Sequence, residues 1–373
     1  MDMYAHIVGW GMYVPEKRLT NEDLSQQVDT SDEWIRSRTG IVERRIAGEH
    51  ETTASMAAEA GRRALAQAQL SPAQLDAIIV ATVTGDYLTP ATACLVQATL
   101  GAIHAAAFDV SAGCSGFIYA LALAQMGIRS GQWKNVLIIG AETLSRFTNW
   151  QDRNTCVLFG DGAGALLLTG RPEAGGILST ILGADGSGAN LLLIPAGGSR
   201  LPASASTIEA SQHTIVMDGP AVFRFATRAM PNAIREALRA AGLTPGDINL
   251  VIPHQANVRI IESARKYLNL PEEAVFINIE RYGNTSAASI PIALCEAVEN
   301  GLINEGNHIV LVGFGAGLTW ASAALRWGIP LPAVPLPWWR QWSQRIGFFV
   351  ARLRMKLRRW AYTLLNHLPG QKE

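Results

Sequence analysis

Two stretches of this chain match at an offset of 173 residues, and that duplication narrows the folds open to it. Ala64-Leu-Ala-Gln-Ala-Gln-Leu-Ser-Pro-Ala-Gln-Leu-Asp-Ala-Ile-Ile79 aligns with Ala237-Leu-Arg-Ala-Ala-Gly-Leu-Thr-Pro-Gly-Asp-Ile-Asn-Leu-Val-Ile252. Each copy reads as an amphipathic helix, a Ser/Thr-Pro turn and a buried strand. Further on, Lys134-Asn-Val-Leu-Ile-Ile-Gly140 parallels Asn307-His-Ile-Val-Leu-Val-Gly313 at the same offset. One such match between α/β segments could be chance, but a shared offset at separated places points to internal duplication. The expectation is an α/β chain of two related halves, residues 1–175 and 176–327, followed by a different segment, 328–373.

That last segment stands out by charge. The chain carries 31 Lys+Arg and 31 Asp+Glu, but residues 328–373 hold eight of the bases and one of the acids. The tail is therefore +7 and the rest −7, which marks the tail as a separate device. With 49% hydrophobic and 17% charged residues, the chain fits a well-buried cytosolic enzyme rather than a disordered protein. Cys94, Cys114, Cys156 and Cys295 lack metal-ligand spacing and are too sparse for a disulfide framework. Tyr4 to Gly9 runs straight into a Gly/Pro turn with no signal-peptide pattern, so a cytoplasmic location is expected.

Three segments carry chemistry. In Asp109-Val-Ser-Ala-Gly-Cys-Ser-Gly-Phe117, the stretch from Ala105 to Val110 reads as a buried strand and that from Phe117 to Met126 as a buried helix. Cys114 then sits at a helix N-terminus, where free N–H groups and the helix dipole favour a thiolate and hence a nucleophile. In Val251-Ile-Pro-His-Gln-Ala-Asn-Val-Arg259, His254 projects from the end of an apolar strand. In Arg281-Tyr-Gly-Asn-Thr-Ser-Ala-Ala-Ser-Ile-Pro291, Asn284 occupies a glycine-marked turn ahead of a helix. Singly, each has a bland reading: an inert core cysteine, a satisfied core histidine, a turn asparagine. Together they form the set that thioester chemistry needs, one from the first half and two from the second.

At these residues the chain resembles the β-ketoacyl-[acyl-carrier-protein] synthases III, thiolase-like condensing enzymes, from about Ile7 to Trp327. The motifs that carry the resemblance are Ser31-Asp-Glu-Trp-Ile-Arg-Ser-Arg-Thr-Gly-Ile41, the cysteine segment, Phe159-Gly-Asp-Gly-Ala-Gly-Ala165, His254-Gln-Ala-Asn257, Gly283-Asn-Thr-Ser286 and Gly313-Phe-Gly-Ala-Gly317. The segment around Trp34 separates this family from plant-type polyketide synthases and hydroxymethylglutaryl-CoA synthases, which share the cysteine. The resemblance implies a thiolase-like fold in a layered αβαβα arrangement, a homodimer, no cofactor and no nucleic-acid partner. It implies acyl transfer from an acyl-CoA to Cys114, then decarboxylative condensation with malonyl carried on acyl carrier protein. His254 through a ring N–H and Asn284 through its amide would stabilise the enolate. The backbone N–H groups of Cys114 and Ala316 would form a second oxyanion hole, with alanine standing where relatives usually have glycine. Trp34, Arg38, Thr39 and Arg153 match CoA-binding positions. Arg224, Arg259 and Lys266 match the basic patch for the acidic carrier protein. Thr89 stands where a large aromatic usually closes the acyl pocket, which suggests room for primers longer than acetyl.

Two glycine patterns, Gly160-Asp-Gly-Ala-Gly164 and Gly313-Phe-Gly-Ala-Gly317, lack full dinucleotide spacing and read as close backbone approaches. The Gly/Ala/Ser-rich run from Gly183 to Met217 reads as an irregular excursion beside the tunnel. In the tail, prolines between 328 and 337 make a semi-rigid spacer. Beyond it Trp342, Ile346, Phe349, Val350, Leu353, Leu357, Trp360 and Leu364 share one helical stripe flanked by arginines. A basic amphipathic helix over 338–368 suits an interfacial membrane contact, packing on the body or a partner, or a frayed segment, being the alternatives. Two rival functions remain: a condensing enzyme of secondary or long-chain metabolism with another acceptor, and a degenerate partner subunit. Such subunits typically lose the nucleophile that Cys114 here preserves.

Overall fold

The two copies of the repeat lie in two separate sheets. The computed structural model describes residues 3–328 together with Val350, Leu353 and Leu357. The first sheet contains β1 (Tyr4–Tyr13), β2 (Ala77–Ala81), β3 (Ala106–Val110), β4 (Asn135–Thr143) and β5 (Asp161–Arg171), in the order β1-β5-β4-β2-β3. The second contains β6 (Gly176–Ala184), β7 (Leu250–Pro253), β8 (His308–Gly315) and β9 (Thr319–Arg326), in the order β7-β8-β9-β6. Each sheet holds an equivalent parallel pair, β2 with β4 and β7 with β8, and the remaining strands of the shared pattern join antiparallel. β2 to β7 and β4 to β8 each start 173 residues apart, so the duplication read from the sequence is structural. The fifth strand has no full counterpart: an isolated bridge between Val251 and Val275 stands in its place.

Helices complete the layers. α1 (Thr53–Gln67) and α2 (Thr92–Leu100) cover the outside of the first sheet, while α4 (Gly219–Ala240) and α5 (Val258–Tyr267) cover the outside of the second. Between the sheets lie α3 (Gly116–Arg129) and α6 (Ser289–Glu299), again 173 residues apart in their starts. α6 is buried from Ser289 to Val298, which explains why its sequence is apolar on every side rather than striped. β2, Ala-Ile-Ile-Val-Ala, is buried on both faces for the same reason. Each fully buried Ile or Leu in this middle layer contributes about 1.5–3 kcal/mol, so the sandwich that positions the site is also the main source of stability.

Two expectations need correction. β3 was expected to be buried, but it is the sheet's edge, with Ala106 exposed and Phe108 to Val110 half-buried. An apolar run cannot by itself distinguish a central strand from an edge awaiting a partner. Within α3, Leu123 and Met126 are 37% and 55% exposed while Ile128 beyond them is buried, so the helix has one solvent-facing side rather than burial all round. The run from Gly183 to Met217 holds only short elements beyond the end of β6, a 3-10 helix over Gly186–Leu191, a Leu192–Leu193 strand paired with Val216–Met217 and a helix over Ala205–Glu209. No helix among the described residues is long and apolar enough to cross a membrane. The expected interfacial helix falls almost wholly outside the described residues; Val350, Leu353 and Leu357 are helical and exposed.

Candidate active site

The turn carrying Cys114 is pinned between the halves. The Ala112 carbonyl accepts from Ser115 Oγ at 2.8 Å and from Thr319 Oγ1, at the start of β9, at 2.9 Å. Gly113 has φ +55°, which favours glycine, and a Cβ there would meet the Ala316 nitrogen at 2.7 Å. Across the gap, a Cβ on Gly315 would lie 2.4 Å from the Cys114 nitrogen. The end of β8 thus presses backbone to backbone against the nucleophile's turn, bringing the Cys114 and Ala316 peptides side by side.

His254 follows β7, its N–H bonded to the Val312 carbonyl at 2.7 Å and its ring edge-on to Phe314 at 5.4 Å. Asn284 is clamped by its backbone: its N–H donates to Leu158 O at 2.8 Å and its carbonyl accepts from Gly160 N–H at 3.0 Å. The Ser286 N–H donates to Asn284 Oδ1 at 2.9 Å. That bond occupies the amide oxygen and leaves the NH₂ group as the free end. Cys114, His254 and Asn284 all line one cavity of about 770 Å³.

The electrostatics differ from expectation in two ways. Burial pushes the Cys114 thiol up to about 12, with the Ser286 hydroxyl opposing the shift and Glu142 adding to it. The helix terminus alone therefore does not supply a standing thiolate, because loss of water outweighs it. Burial pushes His254 down to about 3, so its ring is neutral near pH 7. Ser289 Oγ lies 2.8 Å from the Ser286 carbonyl, to which it donates, and 2.6 Å from His254 Nδ1. One hydroxyl proton cannot serve both, so this network puts the ring proton on Nδ1 and a lone pair on Nε2. The expected ring N–H donor thus needs the other tautomer.

Beyond the reactive groups, the cavity is walled by Leu192 and by Thr214 to Met217 of the irregular run. Trp34, from the helix Asp32–Thr39, lies on this wall with the Arg38 and Arg153 guanidinium carbons each 5.0 Å from its ring centroid. Arg153 is held by the Asp29 carbonyl at 2.7 Å and carboxylate at 3.2 Å. Thr39 also lines the cavity, but its hydroxyl donates to Ile35 O and accepts from Ile41 N–H, leaving no free donor for a phosphate. Arg259 reaches the cavity over Phe223, whereas Arg224 and Lys266 are exposed on α4 and α5 and do not line it. Thr89 does not line it either: it is exposed beside Leu88, itself 94% exposed.

The sequence reading missed Glu142, Ser286 and Ser289 as members of the site. A glutamate closing the run Val136-Leu-Ile-Ile-Gly-Ala141 was the available signal.

Residues 108–186 match the family model described as 3-Oxoacyl-[acyl-carrier-protein (ACP)] synthase III, and residues 238–327 match its C-terminal counterpart. A β-ketoacyl-[acyl-carrier-protein] synthase III from Caldanaerobacter subterraneus is 60% identical over 324 residues, covering 87% of this chain and 98% of the relative. The chain belongs to the β-ketoacyl-[acyl-carrier-protein] synthase III family. A second synthase III, from Symbiobacterium thermophilum, is 57% identical over 86% of this chain and 98% of the relative. The crystal structure of 3-oxoacyl-[acyl-carrier-protein] synthase III from Aquifex aeolicus, 51% identical, superposes with a TM-score of 0.80 over 86% of this chain and 99% of that one. As a synthase III this protein is a condensing acyltransferase of fatty-acid biosynthesis, built on the thiolase-like pair of α/β halves. The family matches leave out the tail.

Proposed function

We propose that the enzyme takes an acyl group from acyl-CoA onto Cys114 and condenses it with malonyl-acyl carrier protein, giving a 3-oxoacyl carrier-protein thioester, carbon dioxide and free CoA. The observation that carries this reading is convergence: a cysteine from one half and a histidine and an asparagine from the other line one cavity, with Trp34 on its wall. Covalent capture splits one difficult acyl transfer into two easier ones. Decarboxylation then puts negative charge on the malonyl thioester oxygen. The Asn284 NH₂ group, its oxygen held by Ser286, donates there and never ionises. His254 joins as a donor in the tautomer with the proton on Nε2, which Ser289 supports by turning its hydroxyl onto Nδ1. The N–H groups of Cys114 and Ala316 receive the oxyanion formed at the acyl carbon. Trp34 offers a face for the adenine of CoA, with Arg38 and Arg153 as its cationic neighbours. Arg224, Arg259 and Lys266 receive the acidic carrier protein. Mass spectrometry of protein incubated with acyl-CoA is expected to show acylation confined to Cys114; acyl-enzyme formed equally in a Cys114→Ala variant would sink this reading. Screening malonyl acceptors then separates it from condensing enzymes that use another thioester.

We further propose that two copies associate along β3. Its one charged residue, Asp109, turns back to cap α2, accepting from Thr92 N–H at 2.6 Å and Ala93 N–H at 2.8 Å. An apolar strand edge is left open, which a twofold partner can complete. Sedimentation is expected to give twice the 40.1 kDa chain mass; a monomer at micromolar concentration would refute the arrangement.

A further inference from the structure

Glu142 takes no part in the chemistry above, yet it lies directly beneath it. Its residue is 0% exposed, near the end of β4. Thr84 Oγ1 donates to Oε2 at 2.5 Å, Thr82 Oγ1 to Oε2 at 3.2 Å, and the Val83 N–H to both oxygens at 3.2 and 3.3 Å. Those donors all come from the loop after β2. Oε1 faces the other half of the molecule, where Ser286 Oγ lies 3.2 Å away. The same hydroxyl also acts on the Cys114 thiol, opposing the upward push that burial gives it. The Ser286 hydroxyl, from the second half, therefore bears on both the sulfur and the carboxyl of the first. A serine hydroxyl can accept from one neighbour while donating to the other, which is what passing a proton requires.

We propose that Glu142 draws the proton off Cys114 through the Ser286 hydroxyl and returns it by the same route. This rests on the acyl-cysteine reading given above. At rest the thiol donates to Ser286 Oγ, and the Ser286 hydroxyl donates to the Glu142 carboxylate. As sulfur attacks the acyl carbon, the S–H electron pair becomes the S–C bond. The thiol proton moves to Ser286, and the proton of Ser286 moves to Glu142. CoA departs with the electrons of its own C–S bond and takes a proton from water. When the enolate carbon later attacks the acyl-cysteine, a C–C bond forms and the C–S pair returns to sulfur. The chain then runs backward: Glu142 reprotonates Ser286, and Ser286 reprotonates Cys114. One solvent proton is consumed per turn, as loss of carbon dioxide from a carboxylate demands.

The electrostatics suit this division of labour. With the thiol pushed up to about 12 by burial, little thiolate stands ready, and the proton must leave as the new bond forms. Burial pushes Glu142 up to about 7, against the pull of Thr84, Val83, Ser286 and Thr82, so it is ionised enough near neutrality to accept. Of the groups facing Glu142, Cys114 at the head of α3 is the titratable one; Thr82, Thr84 and Ser286 are neutral hydroxyls. The charge on Glu142 opposes a second charge on sulfur, so exchanging the proton keeps a single negative charge in the pocket. His254 is bonded to Ser289 instead, and burial holds it far below neutrality.

The test is rapid-quench acylation of the full-length enzyme with acetyl-CoA, read by mass spectrometry at Cys114 across the neutral pH range. Wild type is expected to acylate faster as pH rises through about 7, the direction in which Glu142 loses its proton. Glu142→Gln is expected to slow acylation by about 10²–10⁴-fold and to erase that limb, with Glu142→Asp retaining part of both. Ser286→Ala should erase the limb too, while keeping the backbone N–H that holds Asn284. If Glu142→Gln does not fold, Ser286→Ala decides. Slowing with the limb intact, or a limb that disappears in His254→Ala instead, overturns the relay. Absence of any acyl-Cys114 in wild type would instead remove the reading on which the relay rests.

Discussion

Asn284→Asp is expected to acylate Cys114 and then stall. The substitution keeps an oxygen where Oδ1 accepts the Ser286 N–H at 2.9 Å, so the turn ahead of α6 has no reason to rearrange. What changes is the free end of the side chain: a neutral donor becomes part of a carboxylate. In the first stage no charge develops at that end, and acyl transfer proceeds. In the second stage the malonyl oxygen becomes negative as carbon dioxide leaves, and it would then face a like charge. Removing one such donor typically raises the barrier by about 3–4 kcal/mol, or roughly 10²–10³ in rate, and adding repulsion in a dry pocket pushes the loss further. Separate assays of acyl-Cys114 formation and of 3-oxoacyl product would show the split. Condensation at near wild-type rate in the variant would mean that Asn284 is not the donor.

That split is visible in the sequence only as three isolated residues. Cys114, His254 and Asn284 stand out because each follows a strand or precedes a helix, positions whose local patterns are strong. The duplication at a fixed spacing supplied the two sheets and explained how residues 170 apart in sequence could meet; Cys114 and Asn284 are separated by nearly one repeat. The polar residues beneath them were not legible. Ser286 and Ser289 lie in a segment that reads as a turn and a helix start, and nothing local shows that one hydroxyl faces Glu142 and the other His254. Charge states were equally hidden. A helix start argues for a lowered thiol, whereas burial, a tertiary quantity, drives Cys114 the other way. Thr89 could not be tied to a pocket from its own chain: the position that matches a pocket residue by spacing lies on an exposed loop.

Gly315→Ala is expected to damage acylation more than its single added methyl suggests. Gly315 closes β8 with a φ outside the left-handed region, so alanine is conformationally acceptable there. The obstacle is space: its Cβ would lie 2.4 Å from the Cys114 nitrogen and 3.1 Å from Cys114 Cα and Cβ. Those atoms are backbone and nucleophile, not the far end of a flexible chain, so β8 and the Cys114 turn must move apart. Overpacking of this kind costs about 1–3 kcal/mol of stability. The functional loss is separate, because the movement pulls the Cys114 N–H away from the Ala316 N–H, the pair proposed to hold the oxyanion. Loss of one such donor corresponds to about 10²–10³ in rate. Gly198→Ala serves as the comparison: a Cβ there has nothing within 4 Å, and stability should change by no more than about 0.5 kcal/mol. Thermal unfolding and single-turnover acylation of both variants give the two readouts. If Gly315→Ala melts lower yet acylates Cys114 as fast as wild type, the close packing serves the fold alone and the oxyanion must be held by other groups.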